Sequence, residues 1–369
     1  MAIFSLSVHA DYRCRQSGAC CTTQWDVPVE PAAHEVIAQA LVTGTLSTDS
    51  MPFVIEPGLP SSASAMLQRD AAGACLFLEG AGLCSVHRVL GEGALPSACR
   101  LFPRIALTDA RGTFITLSHY CPTAARALLR DDVPLGVVEA PPAFPPADYE
   151  GLAAEDAWPP TLRPGVLMGL DGFAAWERHA VELFGTPGVS PEAAMATLAR
   201  DAEILRKWSP GASSILAAMS KLPRPLTDVP PPSRLSESLA IYRGVAGAVP
   251  FDLHRVSPPG GTVDAWQRLV LPSWSRFNRA ASAYLASHAF GNWCAYQGPG
   301  LRTWVRSVEA ALAVLSVECA WQCLIDGGTL DRDLFVAGVR ASDLLLRHHA
   351  SREDLADRWS RLEATSLGV

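Results

Sequence analysis

Apolar and polar positions change rhythm part-way along the chain. From about residue 166 onward apolar residues recur three and four apart, the period of helices that bury one face. Ser190 followed by Pro191 and Glu192 is an N-cap with a favoured first-turn proline, and it opens a helix over EAAMATLARDAEILRKW. SESLAIYRGVAGA, residues 263–290 and residues 301–326 carry the same pattern, the last ended by Gly327-Gly328. Two further helices are predicted over 331–349 and from Ser351, which stands at capping-box spacing from Asp354. Val308, Leu312, Leu315, Cys319 and Cys323 form one stripe, so both thiols are predicted to be core, as are Cys294, Trp266, Trp274 and Trp293. His348 and His349 are predicted to face the last carbonyls of their helix.

The first third reads differently. TTQWDVPVE alternates like a short strand, and Glu30-Pro31 opens a helix over AAHEVIAQALVTG that closes at Gly44. From Gln68 to Arg126 the pieces are short and turns frequent, the look of a segment held by metal ligation rather than by a large apolar core. Between Asp131 and Pro164 proline dominates, removing backbone donors and blocking helix interiors. The expected fold is mainly α: an irregular N-terminal cysteine-cluster module over 1–135, a Pro-rich linker over 136–165, and a helical domain over 166–369.

Charge narrows the partners. The 369 residues hold 30 Lys and Arg against 37 Asp and Glu, a net charge of −7 with no basic stripe, so nucleic acid is not an expected partner. The longest apolar run, AALAVLSVECAWQCLI, is shorter than a bilayer span and carries Glu318, so no membrane association is expected. MAIFSLSVHADYRC lacks a basic segment before an apolar core, so a cytoplasmic location is expected. In that reducing compartment, clustered cysteines bind metal or do redox chemistry.

Such a cluster is the strongest chemical signal here. Cys14, Cys20, Cys21, Cys75, Cys84, Cys99 and Cys121 all precede the helical part. Their spacing contains neither CxxC knuckles nor the CxxCxxC run of bacterial ferredoxins, so zinc and an iron–sulfur cluster both stay open. Adjacent Cys20 and Cys21 are expected to splay apart, leaving at most one as a ligand. Cys84 and His87 form a CxxH pair that could contribute an imidazole, but His87 is expected beside the site rather than on the metal. Among the nearby titratable residues Asp26, Glu92, Asp109, His119 and Tyr120, the candidate catalytic groups are Asp26, just after the CC pair, and His119 with Tyr120, which lead into Cys121. Arg100 and Arg104 flank Phe102-Pro103 and are candidates for holding a cofactor carboxylate or screening an anionic cluster.

The order GACLFLEGAGLCSVHRVLGEGALPSACRLFPR, then LSHYCPTAARALL, after the CC segment and Trp25, resembles the flagellin lysine N-methylase (FliB-type) family within the broader YkgJ-like cysteine-cluster proteins. The resemblance spans about residues 12–130. It implies an S-adenosylmethionine-dependent lysine methyltransferase with an iron–sulfur cluster, 4Fe–4S in type, acting on a flagellin-like protein. It carries over the seven cysteines above as ligand candidates. Where family members show CPEAAR, this chain has Thr123. Methyl transfer requires a neutral amine, yet a free lysine has a pKa of about 10.4, so such a site must desolvate the amine or supply a base. No Gly-rich strand–turn–helix fingerprint is present, so any binding of that cofactor takes another form. The leading expectation is therefore that methylase, with a non-catalytic zinc or iron protein for metal handling as the second reading and a redox module as the third.

Overall fold

The structure, a computed structural model, describes residues 1–365 apart from 24, 56–57, 81, 148, 212, 233–234 and 251–256. The chain divides into two compact units. One combines Met1–Tyr12, Ile105–Tyr120 and Ala124–Val369; the other is Arg13–Arg104 with Cys121–Thr123.

The larger unit contains a five-stranded mixed sheet that the sequence pattern did not reveal. Ile3–Leu6 lies parallel to Gly112–Leu117, with Ile3 opposite Thr113, and antiparallel to Val137–Glu139. Arg104–Asp109 neighbours Gly112–Leu117 and pairs in parallel with Gly151–Ala153. Two of these strands fall inside the stretch expected to be a proline-rich linker. Prolines there stand between the short strands, where their missing N–H breaks no ladder. Helix accounts for 48% of the chain and strand for 11%, so an α-rich protein with an N-terminal mixed sheet is the accurate description.

Around the 26-residue helix Leu301–Asp326 pack Pro191–Leu205, Ser236–Ala246, Asn278–Ala289, Arg332–Asp343 and Arg352–Thr365. By length and composition this helix is apolar enough to cross a membrane, with a mean hydropathy of 1.6 over its best window. In the structure 72% of that window is buried against protein, as in the core helix of a globular unit. Its Glu318 accepts a hydrogen bond from Tyr242 Oη at 2.8 Å, which lets a carboxylate sit in apolar surroundings. Cys319 and Cys323 are buried as expected. Gly338 is where the Arg332–Asp343 helix comes closest, because a Cβ there would lie 2.6 Å from Cys319 Sγ.

Caps behave as their chemistry requires. Ser190 Oγ accepts from Ala193 N at 3.1 Å, and Ser351 Oγ accepts from Asp354 N at 3.2 Å. Gly327 closes the long helix with φ of 79°. The 263–290 stretch is helical but interrupted by a wide turn at Trp266–Val270, with Pro272 following in Leu271–Trp274. Trp266 and Trp274 are core, whereas Trp293 is only half-buried and lines a cavity. His348 Nε2 meets Ser118 Oγ at 2.6 Å.

The smaller unit has a three-stranded antiparallel sheet in the order Pro28–Val29, Ala65–Leu67, Phe53–Val54. Helix Pro31–Val42 supplies Ile37 and Ala40 to a small core with Leu46, Phe77, Val86, Ala94 and Leu95, against which Cys75, Cys84 and Cys99 pack. Val27, Val29 and Ala65 are buried in the same unit.

Candidate metal centre

Cys20 and Cys21 sit on a tight 3₁₀ turn, Ala19–Cys21, entered through Gly18 at φ of 69°. Thr23 Oγ1 donates to Cys20 O at 3.1 Å and Cys21 N to Gly18 O at 2.9 Å, fixing the turn. A Cβ on Gly18 would fall 2.8 Å from Gly82 O, so glycine here lets the turn approach the loop that carries Cys84. Cys75 N donates to Cys21 O at 2.7 Å, tying a third thiol-bearing segment to the same turn. Asp70 Oδ1 braces that segment by accepting from Ala72 N and Ala74 N at 2.9 and 2.8 Å.

Cys84 forms an isolated antiparallel bridge with Leu78 and precedes the helix Ser85–Leu90. Ser85 N donates to Phe77 O at 2.8 Å, which seats this corner on the small core. Cys99 lies in the short helix Ser97–Leu101, whose Ser97 N donates to the Glu30 carboxylate at 3.2 Å.

The sulfurs converge. Cys20 Sγ and Cys21 Sγ are 3.9 Å apart, and the charge of Cys84 acts on both. Adjacent cysteines were expected to diverge as they would on a strand. A 3₁₀ turn instead rotates successive side chains by about a third of a turn, which allows both sulfurs to reach one side. The Cys21 thiol holds its proton, pushed up by Cys20 and Cys84 and by burial. Cys84 is correspondingly lowered to about 6 by the Cys21 thiol, helped by the backbone N–H groups of His87 and Val86. Cys20 is also lowered, chiefly by the Cys21 thiol. Burial pushes Cys75 and Cys99 up, and the charges of Cys20 and Cys84 push both further. Five thiols therefore feel one another: Cys20, Cys21, Cys75, Cys84 and Cys99.

This donor set suits a soft divalent cation. Zinc–thiolate bonds of about 2.3 Å place two sulfurs about 3.8 Å apart across a tetrahedron, close to the 3.9 Å between Cys20 and Cys21. A bound cation also turns the mutual repulsion of thiolates into attraction. Among the described residues no group of three or more His, Cys, Asp or Glu side chains is yet closed to ligating geometry, so binding requires the thiols to draw in.

Cys14 is exposed, its sulfur accepting from Gln16 N at 3.3 Å, and Cys121, buried just before the helix Pro122–Ala127, groups with the same smaller unit. Asp26 is exposed, beside a Trp25 ring that packs on Phe102 with centroids 5.4 Å apart. Glu92 is exposed. Arg104 Nη1 donates to Arg100 O at 3.0 Å, closing the end of the Ser97–Leu101 helix, and the Arg100 charge acts on Glu30. Asp109 belongs to the larger unit, in a buried pair with Arg111 at 2.7 Å that continues to Glu177 at 3.1 Å and accepts from Tyr296 Oη at 2.6 Å.

His119 and Tyr120 also lie in the larger unit. His119 is wholly buried between His9, Nε2 to Nε2 3.1 Å, and Asp343, which its Nδ1 meets at 3.0 Å. Asp343 further accepts from Tyr284 Oη at 3.0 Å and His288 Nε2 at 2.9 Å. The Arg340 guanidinium stands 5.1 Å over the Tyr120 ring. This buried network was missed because it joins single residues 55 to 224 positions apart, with no motif to mark it.

Residues 13–122, which hold all seven clustered cysteines, match the family model described as "CxxCxxCC: Putative zinc- or iron-chelating domain". That stretch is similar to a metal-chelating domain. No curated protein and no solved structure matches the chain.

Proposed function

We propose that the Arg13–Arg104 unit is a thiolate module that chelates a single zinc or iron ion, and that the protein serves metal handling or redox chemistry in a reducing, cytoplasmic setting. The observation that carries this reading is the 3.9 Å separation of the Cys20 and Cys21 sulfurs on a turn to which the Cys75 segment is tied by its own backbone N–H. Cys20, Cys21 and Cys84, with Cys75 or Cys99 completing the set, would hold the ion. Bound zinc would tie the loops together, and bound iron would add one-electron chemistry. The short sulfur separation favours one shared ion over a cubane, whose cysteines each bind a different iron.

A second reading, a 4Fe–4S lysine methylase that uses S-adenosylmethionine on a flagellin-like protein, is favoured by the ordered motifs LGEGALP, CRLFPR and CPTAAR. In that reading Asp26, His119 and Tyr120 supply acid–base chemistry, and Arg100 and Arg104 hold the cofactor.

Metal and acid-labile sulfide analysis of anaerobically purified protein separates the two. About one metal per chain without sulfide, lost in Cys21→Ser and in Cys84→Ser, is the expected result. About four irons and four sulfides with broad visible absorption would replace it with the cluster reading.

A further inference from the structure

The larger unit holds a small cleft that opens to solvent, its enclosed part about 80 Å³. One wall is apolar, formed by Phe290, Leu346, Leu355 and Trp359. Two guanidiniums also line it. Arg347 is already committed, donating to Asp343 Oδ1 at 3.3 Å and Ser287 O at 3.0 Å. Arg352 is not: it lies 3.5 Å over the Trp293 ring, and among the described residues no carboxylate pairs with it. Burial, and then the charge of Arg347, pull Arg352 down to about 10, the mark of a cation lacking compensation.

Three further groups around the cavity have hydrogen-bonding capacity to spare. Trp293 Nε1–H is a buried donor without a partner, and Gln297 Oε1 a buried acceptor without one. His288 directs Nε2 to the Asp343 carboxylate, so Nε2 carries the proton and Nδ1 remains an acceptor. Leaving such groups unmatched is costly, so they mark where a ligand's polar atoms belong. One uncompensated cation with one neutral donor matches a single negative charge, and two acceptors beside them match a donor on the same ligand. Apolar walls match a hydrocarbon side chain.

We propose that this cavity binds a small organic carboxylate with a hydrogen-bond donor on the adjacent carbon, a 2-hydroxy or 2-amino acid with an apolar side chain. The carboxylate meets Arg352 and the Trp293 N–H. The neighbouring hydroxyl or ammonium donates to Gln297 and His288. A doubly charged phosphate finds too few free donors.

Calorimetric titration of the full chain at neutral pH tests this with 2-hydroxy-4-methylpentanoate, leucine, 4-methylpentanoate, leucinamide and inorganic phosphate. The first two are expected to bind, the tighter of them identifying the donor. 4-Methylpentanoate should bind several-fold more weakly, and leucinamide and phosphate not measurably. Arg352→Gln should weaken binding at least about tenfold. Trp293→Phe, which keeps the ring and removes the N–H, should weaken it about three- to tenfold with an unchanged melting curve. No heat from either acid up to about 10 mM, equal binding of phosphate, or full affinity in both variants overturns the site; equal binding of 4-methylpentanoate overturns the adjacent donor.

Discussion

Two buried histidines make the stability of the larger unit depend on pH in a calculable way. His288, against Asp343, Tyr284 and Arg347, is lowered to about 4 by burial and then by the Arg347 charge, with Asp343 opposing. His348, against Ser118, Tyr120 and Asp343, is likewise lowered to about 4, again chiefly by burial. An unfolded histidine titrates near pH 6.5. Between about pH 6.5 and 4 the unfolded chain therefore binds the proton that the folded chain refuses, so stability falls as pH falls through that window and is fully present above it. For one such residue the loss between pH 7 and 4.5 is about 2 kcal/mol. Glu177 and Glu192, raised by burial, act in the opposite direction near its acid end, so the raw slope of the whole protein mixes both signs. Urea unfolding at half-unit pH steps, with wild type beside His288→Gln and His348→Gln, isolates each histidine. Each variant should lose about 2 kcal/mol of the acid-induced destabilisation seen in wild type. Parallel profiles for wild type and both variants would refute the reasoning.

Smaller perturbations test the packing and the thiol module. Gly338→Ala drives a Cβ to 2.6 Å from Cys319 Sγ and 3.2 Å from its backbone; overpacking should cost about 1–3 kcal/mol, and adding Cys319→Ala should restore only part, by thermal melting. Gly18→Ala forces an alanine to φ of 69° and against Gly82 O; metal should be lost to a competing chelator more readily than from wild type, while far-ultraviolet circular dichroism stays unchanged. A strong chelator added to wild type should make residues within 13–104 the first sites of limited proteolysis, detected by mass spectrometry, because the small apolar core is left to hold the unit alone.

What could be read from the sequence follows the range of the interactions involved. Ser190, Ser351 and Gly327 announce helix ends because a cap is satisfied within three or four residues. The stripe through Cys319 and Cys323 is readable for the same reason, since helical period is local. The sheet was not, because Ile3 finds Thr113 and Phe4 finds Glu139, and strands of three to six residues leave too short a pattern to separate from loop. The cysteines could be counted but not placed: that Cys20 and Cys21 share a side depends on the turn entered through Gly18. Asp109 looked like a neighbour of the thiols by sequence, yet Arg111 and Tyr296 engage it in the other unit. The cavity at Arg352 had no sequence signal, since its marks are partners that are missing.

The order of the units along the chain has a kinetic consequence. The thiol module is spliced between two strands that must meet, so Ile3–Leu6 leaves the ribosome early and waits until the whole of Arg13–Arg104 has followed before Gly112–Leu117 arrives. If the inserted segment were still a random coil, that closure would span a loop of about a hundred residues; if it has already collapsed around its ion, the effective loop shrinks to about fifteen and closure costs about 2 kcal/mol less. Metal supply during synthesis would then set how fast the host sheet forms, and starvation for the ion would show first as slow, aggregation-prone maturation of that sheet.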